Sequence, residues 1–183
     1  HPINEFGSQE QKDKYLFPLI KGEKIGCFGL TESEAGSDPT SMKTSFKKTK
    51  DGYIINGSKN WITNAPIADI FIIWAIEENK DHKSIKGFII EKNTEGLNTS
   101  TIENKTSLKI SPTGQIILNN VFVPNNLCLE NTEGWKSVFS CLNKARFGIS
   151  WGVLGSASEC WLITKEYVEN RIMFKKPLAS NQL

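Results

Sequence analysis

The sequence predicts an α+β fold: a central antiparallel β-barrel or sandwich flanked by α-helical segments. Three observations predict it. A short helical period runs to about Gly22, strand-like runs then recur to about Pro124, and a long helical period fills about 133–174. With 183 residues, 38% hydrophobic and 23% charged, the chain has the make-up of a globular protein.

In the first zone Ser8 is the expected N-cap, and Gln11 three residues on completes a capping box. Tyr15, Leu16, Leu19 and Ile20 share a helical face, and Gly22 ends the helix. In the second zone the runs 25–30, 44–49, 53–56, 69–76, 87–92 and 115–123 are β-branched or aromatic and lie between turn signals. Lys50-Asp51-Gly52 reads as a hairpin turn, and Asn56-Gly57 as a second tight turn. Six or more strands with no long helix between them suggest the barrel or sandwich.

The third zone reads as one long helix, or one broken near its start. No charge occurs between Arg146 and Glu159, and Phe147, Ile149, Trp151, Val153 and Leu154 point several ways around its axis. A helix apolar all round is expected to be buried all round. Gly148, Gly152 and Gly155 line one side, where a close neighbour would offset their cost in helix stability. One further helix cannot cover this surface, so its partners are expected outside the chain or in another subunit. The non-methionine start and the abrupt end at Leu183 fit either a processed chain or a piece of a longer one.

Several function classes are disfavoured. A net charge of +2 gives no field favouring nucleic acid or an anionic membrane. The lysines at 43, 47, 48 and 50 read as a charged edge strand that resists aggregation. The longest apolar run, 70–76, is seven residues, against about 20 for a membrane span. The opening His1-Pro2-Ile3-Asn4 lacks the basic start and apolar stretch of a secretory signal. Cys27, Cys128, Cys141 and Cys160 have no C-x-x-C spacing and read as reduced, packed thiols. Of the two histidines, His82 lies in a charged stretch that reads as a solvated loop, so no metal site or histidine-dependent nucleophile is assigned.

Four clusters could carry chemistry. Residues 26–39 run from a strand into a loop of small, hydroxylated residues, which suits a plain turn or a phosphate or heterocycle cradle. The loop has neither a Walker A nor a Rossmann glycine pattern. In 56–65, Trp61 and Thr63 are two apart and share a face if the strand is regular. They would form either a core position or a flat platform with a hydroxyl beside it. Around 141–149, Arg146 borders the uncharged stretch and, if partly buried, needs a hydrogen-bonding or anionic partner. Around 171–178, Pro177 cannot continue a helix, so Arg171 stands near a helix end.

Together these clusters resemble the acyl-CoA dehydrogenase family, and within it the subgroup that acts on glutaryl-CoA. Leu30-Thr31-Glu32 through Gly36-Ser37-Asp38 resembles the family's flavin loop, and 56–64 its Asn-Gly-x-Lys-x-Trp-Ile-Thr-Asn segment. Asn120-Val121-Phe122-Val123-Pro124 resembles the end of its β domain, and 141–155 the glutaryl-CoA subgroup. The likeness runs over essentially all 183 residues, in order.

The resemblance implies an acyl-CoA dehydrogenase-like architecture: the end of an N-terminal helical domain in 1–23, a central flavin- and acyl-CoA-binding β domain in 24–125, and the start of a C-terminal helical bundle in 126–183. It implies FAD beside Phe28, Leu30, Thr31, Gly36, Ser37, Trp61, Ile62 and Thr63, with the Thr63 hydroxyl near the flavin's reactive nitrogen. Ser37, Asn143 and Arg146 would face the acyl-CoA, while Arg171, Phe174 and Gln182 would meet a neighbouring subunit's FAD in a homotetramer. The implied reaction belongs to lysine and tryptophan degradation. A carboxylate takes the α-proton of glutaryl-CoA, a hydride leaves the β-carbon for FAD, and loss of carbon dioxide gives crotonyl-CoA. Electrons then pass to an electron-transfer flavoprotein.

The family's catalytic glutamate would lie past Leu183 and its carboxylate-gripping arginine before His1, so no catalytic residue is assigned here. Glu32, Glu34 and Asp38 are expected to serve loop structure and solvation. Ser33 stands where the family has proline, and Lys175 where it has glycine. Alternatives are a short-chain acyl-CoA dehydrogenase or acyl-CoA oxidase of the same fold, and a non-catalytic β-barrel interaction module. The compartment implied is the mitochondrial matrix in a eukaryote or the cytoplasm in a bacterium.

Overall fold

The structure, a computed structural model, describes residues 1–80 and 84–181. The chain divides into two units, His1–Val138 and Phe139–Leu183. His82 lies outside the described residues.

The first unit opens with helix α1 (Pro2–Phe6) and a composite helix made of α2 (Gln9–Gln11), a π turn (Lys12–Leu16) and α3 (Phe17–Ile20). The capping box forms as expected: Gln11 N donates to Ser8 Oγ at 3.2 Å and Ser8 N to Gln11 Oε1 at 3.1 Å. The π turn was not foreseen. Pro18 has no N–H to return to the preceding turn, and the widened turn accommodates that loss. Tyr15, on the π turn, is buried and donates its hydroxyl to Glu91 Oε1 at 2.6 Å. Gly22, at φ +71°, follows the last helical turn and lets Glu23 N reach Pro18 O at 2.9 Å.

The main sheet contains β1 (Gly26–Gly29), β2 (Ser45–Lys48), β3 (Gly52–Thr63), β4 (Ile70–Glu77), β5 (Ile85–Glu91), β6 (Leu97–Thr101) and β7 (Thr113–Pro124). Its order is β1-β4-β2-β3-β7-β6, with β5 on the other side of β4. Four pairings are antiparallel, as expected, but β1 and β2 both run parallel to β4. β1 pairs with Ile70 through Ile73, and β2 takes up the same side of β4 at Ile76 and Glu77. They act as two pieces of one strand, interrupted by the excursion 30–44. Ser45 and Phe46 are therefore flanked on both sides, which corrects the edge-strand expectation for the first half of β2.

The core comprises alternate side chains of these strands. Phe46, Tyr53 and Phe88 form an aromatic trio with ring centroids 5.1–5.6 Å apart. Gln11 ties the helices to the exit of β7 by donating Nε2 to Asn126 O at 2.7 Å and Cys128 O at 2.8 Å.

Asn56-Gly57 is not a turn. It lies inside β3, at a register shift between Ile55 and Gly57. Gly57 sits at φ +143°, and a Cβ there would come within 2.6–2.8 Å of Thr44. The extra residue of that shift lies on β7, where Asn120 is left-handed (φ +51°), while Gly57 permits the close crossing with Thr44.

From Phe139 onward the second unit is helix α4 (Trp135–Asn170), followed by the hairpin of β8 (Ile172–Met173) and β9 (Lys176–Pro177). α4 is one unbroken helix, about 54 Å long at 1.5 Å per residue. Phe147, Ile149, Trp151, Val153, Leu154 and Trp161 are all exposed within this chain. In the hairpin Phe174 (φ +51°) and Lys175 (φ +62°) are both left-handed, the geometry of a two-residue turn that favours Asn-Gly. Lys175 thus bears the strain that a glycine would avoid. Lys175→Gly is expected to stabilise the hairpin by about 1 kcal/mol. Slower amide exchange at Leu178, whose N–H bonds Arg171 O, would report it; faster exchange would contradict it.

Candidate functional site

The excursion 30–44 is closed at its base by one carboxylate. Glu32 accepts from Lys43 N at 2.7 Å and Thr44 N at 3.0 Å, so it joins the start of the loop to its end. Glu32 also pairs at 2.9 Å with Lys59, which is fully buried on β3. Lys59 Nζ further donates to Leu30 O at 3.0 Å. Beside it, Asn60 N donates to Thr31 O at 2.8 Å and Asn60 Nδ2 to Ser33 Oγ at 3.1 Å. Ser33 is thus held to β3 by a hydrogen bond. Glu34 and Asp38 keep the structural roles expected: Glu34 pairs with Lys43, and Asp38 caps the 3₁₀ turn Pro39–Ser41. Glu32 differs from the expectation in being buried, not solvated.

Electrostatics follow from this burial. Burial raises the Glu32 carboxyl, but the Lys59 charge and the hydrogen bonds from Lys43, Thr44 and Lys59 outweigh it, and the net shift is downward. Burial lowers the Lys59 ammonium to about 8, with Glu32 opposing the shift. Both groups are charged at neutral pH.

Beyond Lys59 the strand changes face. β3 has a second irregularity between Lys59 and Ile62, and Trp61 takes a left-handed φ of +59°. Trp61 is consequently 58% exposed rather than a core residue, while Ile62 points into the core at 3%. Thr63 is exposed again.

A cavity of about 460 Å³ lies between the N-terminal helices and β1, β3 and β4. Its walls include Ile3, Leu19, Phe28, Ile70 and Ile72, with Thr63 and Asn64 at the polar side. The structure thus brings Phe28 and Thr63 together. Trp61 lines a separate groove with Lys105, Leu108 and Thr113. Leu30 and Ile62 are core side chains, and their carbonyls are taken up within the protein, Leu30 O by Lys59 Nζ and Ile62 O by Ala65 N. Among the described residues the hydroxyls of Thr31, Ser37 and Thr63 have no protein hydrogen-bond partner, and the space a Cβ would take at Gly36 is open. Free hydroxyls, an open glycine backbone, an exposed indole and a dry wall are the donor set a flat, polar ring system with a phosphate tail requires.

In the second unit Arg146 is exposed, not partly buried, and donates Nη1 to Asn143 Oδ1 at 2.8 Å. Arg171 lines a shallow groove with Ile163, Glu166, Tyr167 and Asn170. Phe174 is 90% exposed at the hairpin tip. Gln182 lies outside the described residues. Cys27, Cys128 and Cys141 are buried and Cys160 is exposed, so the packed-thiol expectation does not hold for Cys160 within this chain. Burial raises Cys27 to about 12, so its thiol is inert at neutral pH.

Sequence reasoning missed the role of Lys59. A usable signal existed: counting by two from Tyr53 and Ile55 puts Lys59 on the buried face.

Such a loop, bulged strand and sheet define a flavoprotein-type β domain joined to a helical unit. Residues 27–121 match the family model described as acyl-CoA dehydrogenase, middle domain, and 132–183 match the acyl-CoA dehydrogenase C-terminal domain. The chain belongs to the acyl-CoA dehydrogenase family. It is 39% identical over 182 residues to the short-chain-specific acyl-CoA dehydrogenase of Clostridium acetobutylicum, covering 98% of this chain and 48% of that protein. A Mycobacterium smegmatis glutaryl-CoA dehydrogenase solved with FADH2 superposes with a TM-score of 0.93 at 40% identity, over 99% of this chain and 46% of that one. Butyryl-CoA dehydrogenase of Megasphaera elsdenii superposes with a TM-score of 0.91 at 36% identity, over 99% and 48%. The chain spans about half the length of the curated relatives it matches.

Proposed function

We propose that this chain is the flavin- and acyl-CoA-binding part of an FAD-dependent acyl-CoA dehydrogenase, with glutaryl-CoA as its substrate and crotonyl-CoA and carbon dioxide as products. The observation that carries this reading is the meeting of Phe28 and Thr63 on one apolar cavity, together with a loop in which the Thr31 and Ser37 hydroxyls have no protein partner and the space beside Gly36 is open. The glutaryl-CoA choice is supported by the 141–155 segment and by the likeness to the mycobacterial enzyme. A comparable identity to the short-chain-specific relative supports the second reading, a short-chain acyl-CoA dehydrogenase.

In the proposed site Gly36, Ser37 and Thr31 offer donors to the cofactor's polar tail and ring edge, and Leu30 and Ile62 are assigned places beside it. Trp61 provides an aromatic face. Thr63 can donate its hydroxyl where negative charge develops. Phe28 and the aliphatic wall keep water from the cavity. When bound, FAD supplies the acceptor for the substrate's hydride. Ser37, Asn143 and Arg146 are assigned to the acyl-CoA. Arg171, Phe174 and Gln182 are assigned to a neighbouring subunit's cofactor in a homotetramer, which would also cover the apolar surface of α4. Residues 1–23, 24–125 and 126–183 are assigned to the three family domains. Electron-transfer flavoprotein is the proposed oxidant, and the mitochondrial matrix or bacterial cytoplasm the proposed place.

The test uses the full-length protein. Its flavin spectrum should bleach on anaerobic addition of glutaryl-CoA, with crotonyl-CoA and carbon dioxide released. Bleaching by butyryl-CoA alone would move the substrate to short chains, and peroxide release would indicate an oxidase. Absence of flavin binding would end the proposal. Trp61→Ala should weaken FAD retention or slow flavin reduction by roughly tenfold, given what a lost stacking surface is worth; wild-type values for both would remove Trp61 from the site.

A further inference from the structure

The buried Glu32–Lys59 pair joins the two segments assigned to the cofactor, and its lysine contacts no solvent. Lys59 is fully buried, and its ammonium is shared between Leu30 O and Glu32 Oε1. The remaining carboxylate capacity of Glu32 holds Lys43 N and Thr44 N. One charge pair therefore ties together three stretches of main chain: the exit of β1 at Leu30, the far end of the excursion at Lys43 and Thr44, and β3 two residues before Trp61. The shape of the chain makes room for it. A Cβ at Gly29 would meet Lys59 Cγ at 3.4 Å and Ile73 Cδ1 at 2.5 Å, and Gly57 lets β3 close on Thr44. A hydrophobic pair could fill the same volume, but it could not hold carbonyl and N–H groups of a loop whose two ends lie outside any helix or strand.

We infer that Glu32 and Lys59 are positioning residues for the flavin site: they lock the Leu30–Ser37 loop against the Trp61–Thr63 turn and so set the spacing of the groups that meet the cofactor. This rests on the flavin assignment above. Neither residue touches the cofactor; they act through Thr31, Gly36, Ser37, Trp61 and Thr63. Asn60, bonded to Thr31 and Ser33, is the second tie between the same two segments.

The test is made in the full-length holoenzyme with Lys59→Met and, separately, Glu32→Gln, whose side chain keeps the carboxylate's size. Phe88→Ala serves as a control, because it weakens the core without contacting the loop. FAD dissociation, the flavin absorption band and the flavin midpoint potential are measured beside Tm. The expected result is that both pair variants weaken FAD binding by about tenfold or more, as loss of a supporting partner commonly does. Both should also shift the band and the potential of the flavin that remains bound. Phe88→Ala should lower Tm with band and potential unchanged. If the pair variants lower Tm alone, and the bound flavin keeps its wild-type band and potential, the positioning role is overturned while the flavin assignment stands. A wild-type full-length protein that binds no FAD would instead overturn the flavin assignment, whatever the variants do.

Discussion

Lys59→Met is expected to lower the stability of the fold by about 3–5 kcal/mol, because it leaves the Glu32 carboxylate buried without its counter-charge. The loss should appear in urea unfolding as a lower midpoint. A midpoint within experimental error of wild type would mean that the pair is more hydrated than the structure has it. The double variant Glu32→Gln/Lys59→Met should recover much of the loss, since no isolated charge remains. The pH dependence has a definite sign. Glu32 is held below its ordinary value, so its contribution is complete above about pH 4.5 and is lost as the pH falls through its folded value. Lys59 is lowered from 10.5 to about 8, so the folded state loses its proton first and stability rises as the pH climbs between those values. In Glu32→Gln the lysine loses its partner and falls further. That variant should gain stability already below about pH 8, where the wild-type gain is only beginning, and should lack part of the acid loss. A wild-type pH profile in Glu32→Gln would exclude the coupling.

Phe88→Ala is expected to cost about 3–5 kcal/mol. Phe88 is fully buried, and its ring stands 5.1 Å from both Phe46 and Tyr53, so truncation opens a cavity among three strands that cannot close independently. Phe88→Leu, which keeps most of the volume, should cost less than half as much. Equal losses for the two would show that the site collapses around either residue.

Much of this fold was legible in the sequence because its strands are β-branched runs between turn residues, and its composite helix opens with a complete capping box. The failures have particular causes. β6 was missed because only Leu97 of its five side chains is drawn inward, leaving no alternation to detect. The parallel pairings of β1 and β2 depend on a partner, β4, that comes later in the chain, and no local pattern announces them. Asn56-Gly57 carries the strongest short hairpin signal, yet the freedom of its glycine serves a close crossing with Thr44 inside a continuous strand. Trp61 illustrates the limit most clearly. Counting by two from Ile55 makes it a core residue, and only the left-handed backbone at that position turns it out. The ligand-facing loop was legible as small and hydroxylated, but its closure was not. That closure depends on a lysine that looks like a surface residue until the strand's parity is followed.

The irregularity between Lys59 and Ile62 makes the length of β3 a matter of arithmetic rather than of composition. Between Ile55 and Ile62 the strand hands its side chains from one face to the other, so each residue there has its destination fixed by how many precede it. Removing one residue between Lys59 and Ile62 would take out the irregularity, so that Ile62 stays inward by plain alternation but Trp61 loses the left-handed position that presents it. Removing two would turn Ile62 to the outer face and draw the cofactor-facing end of the strand back along the sheet by about 7 Å. Neither error can be repaired by substitution at other positions, so this stretch should accept exchanges of side chain far more readily than any change in the number of its residues.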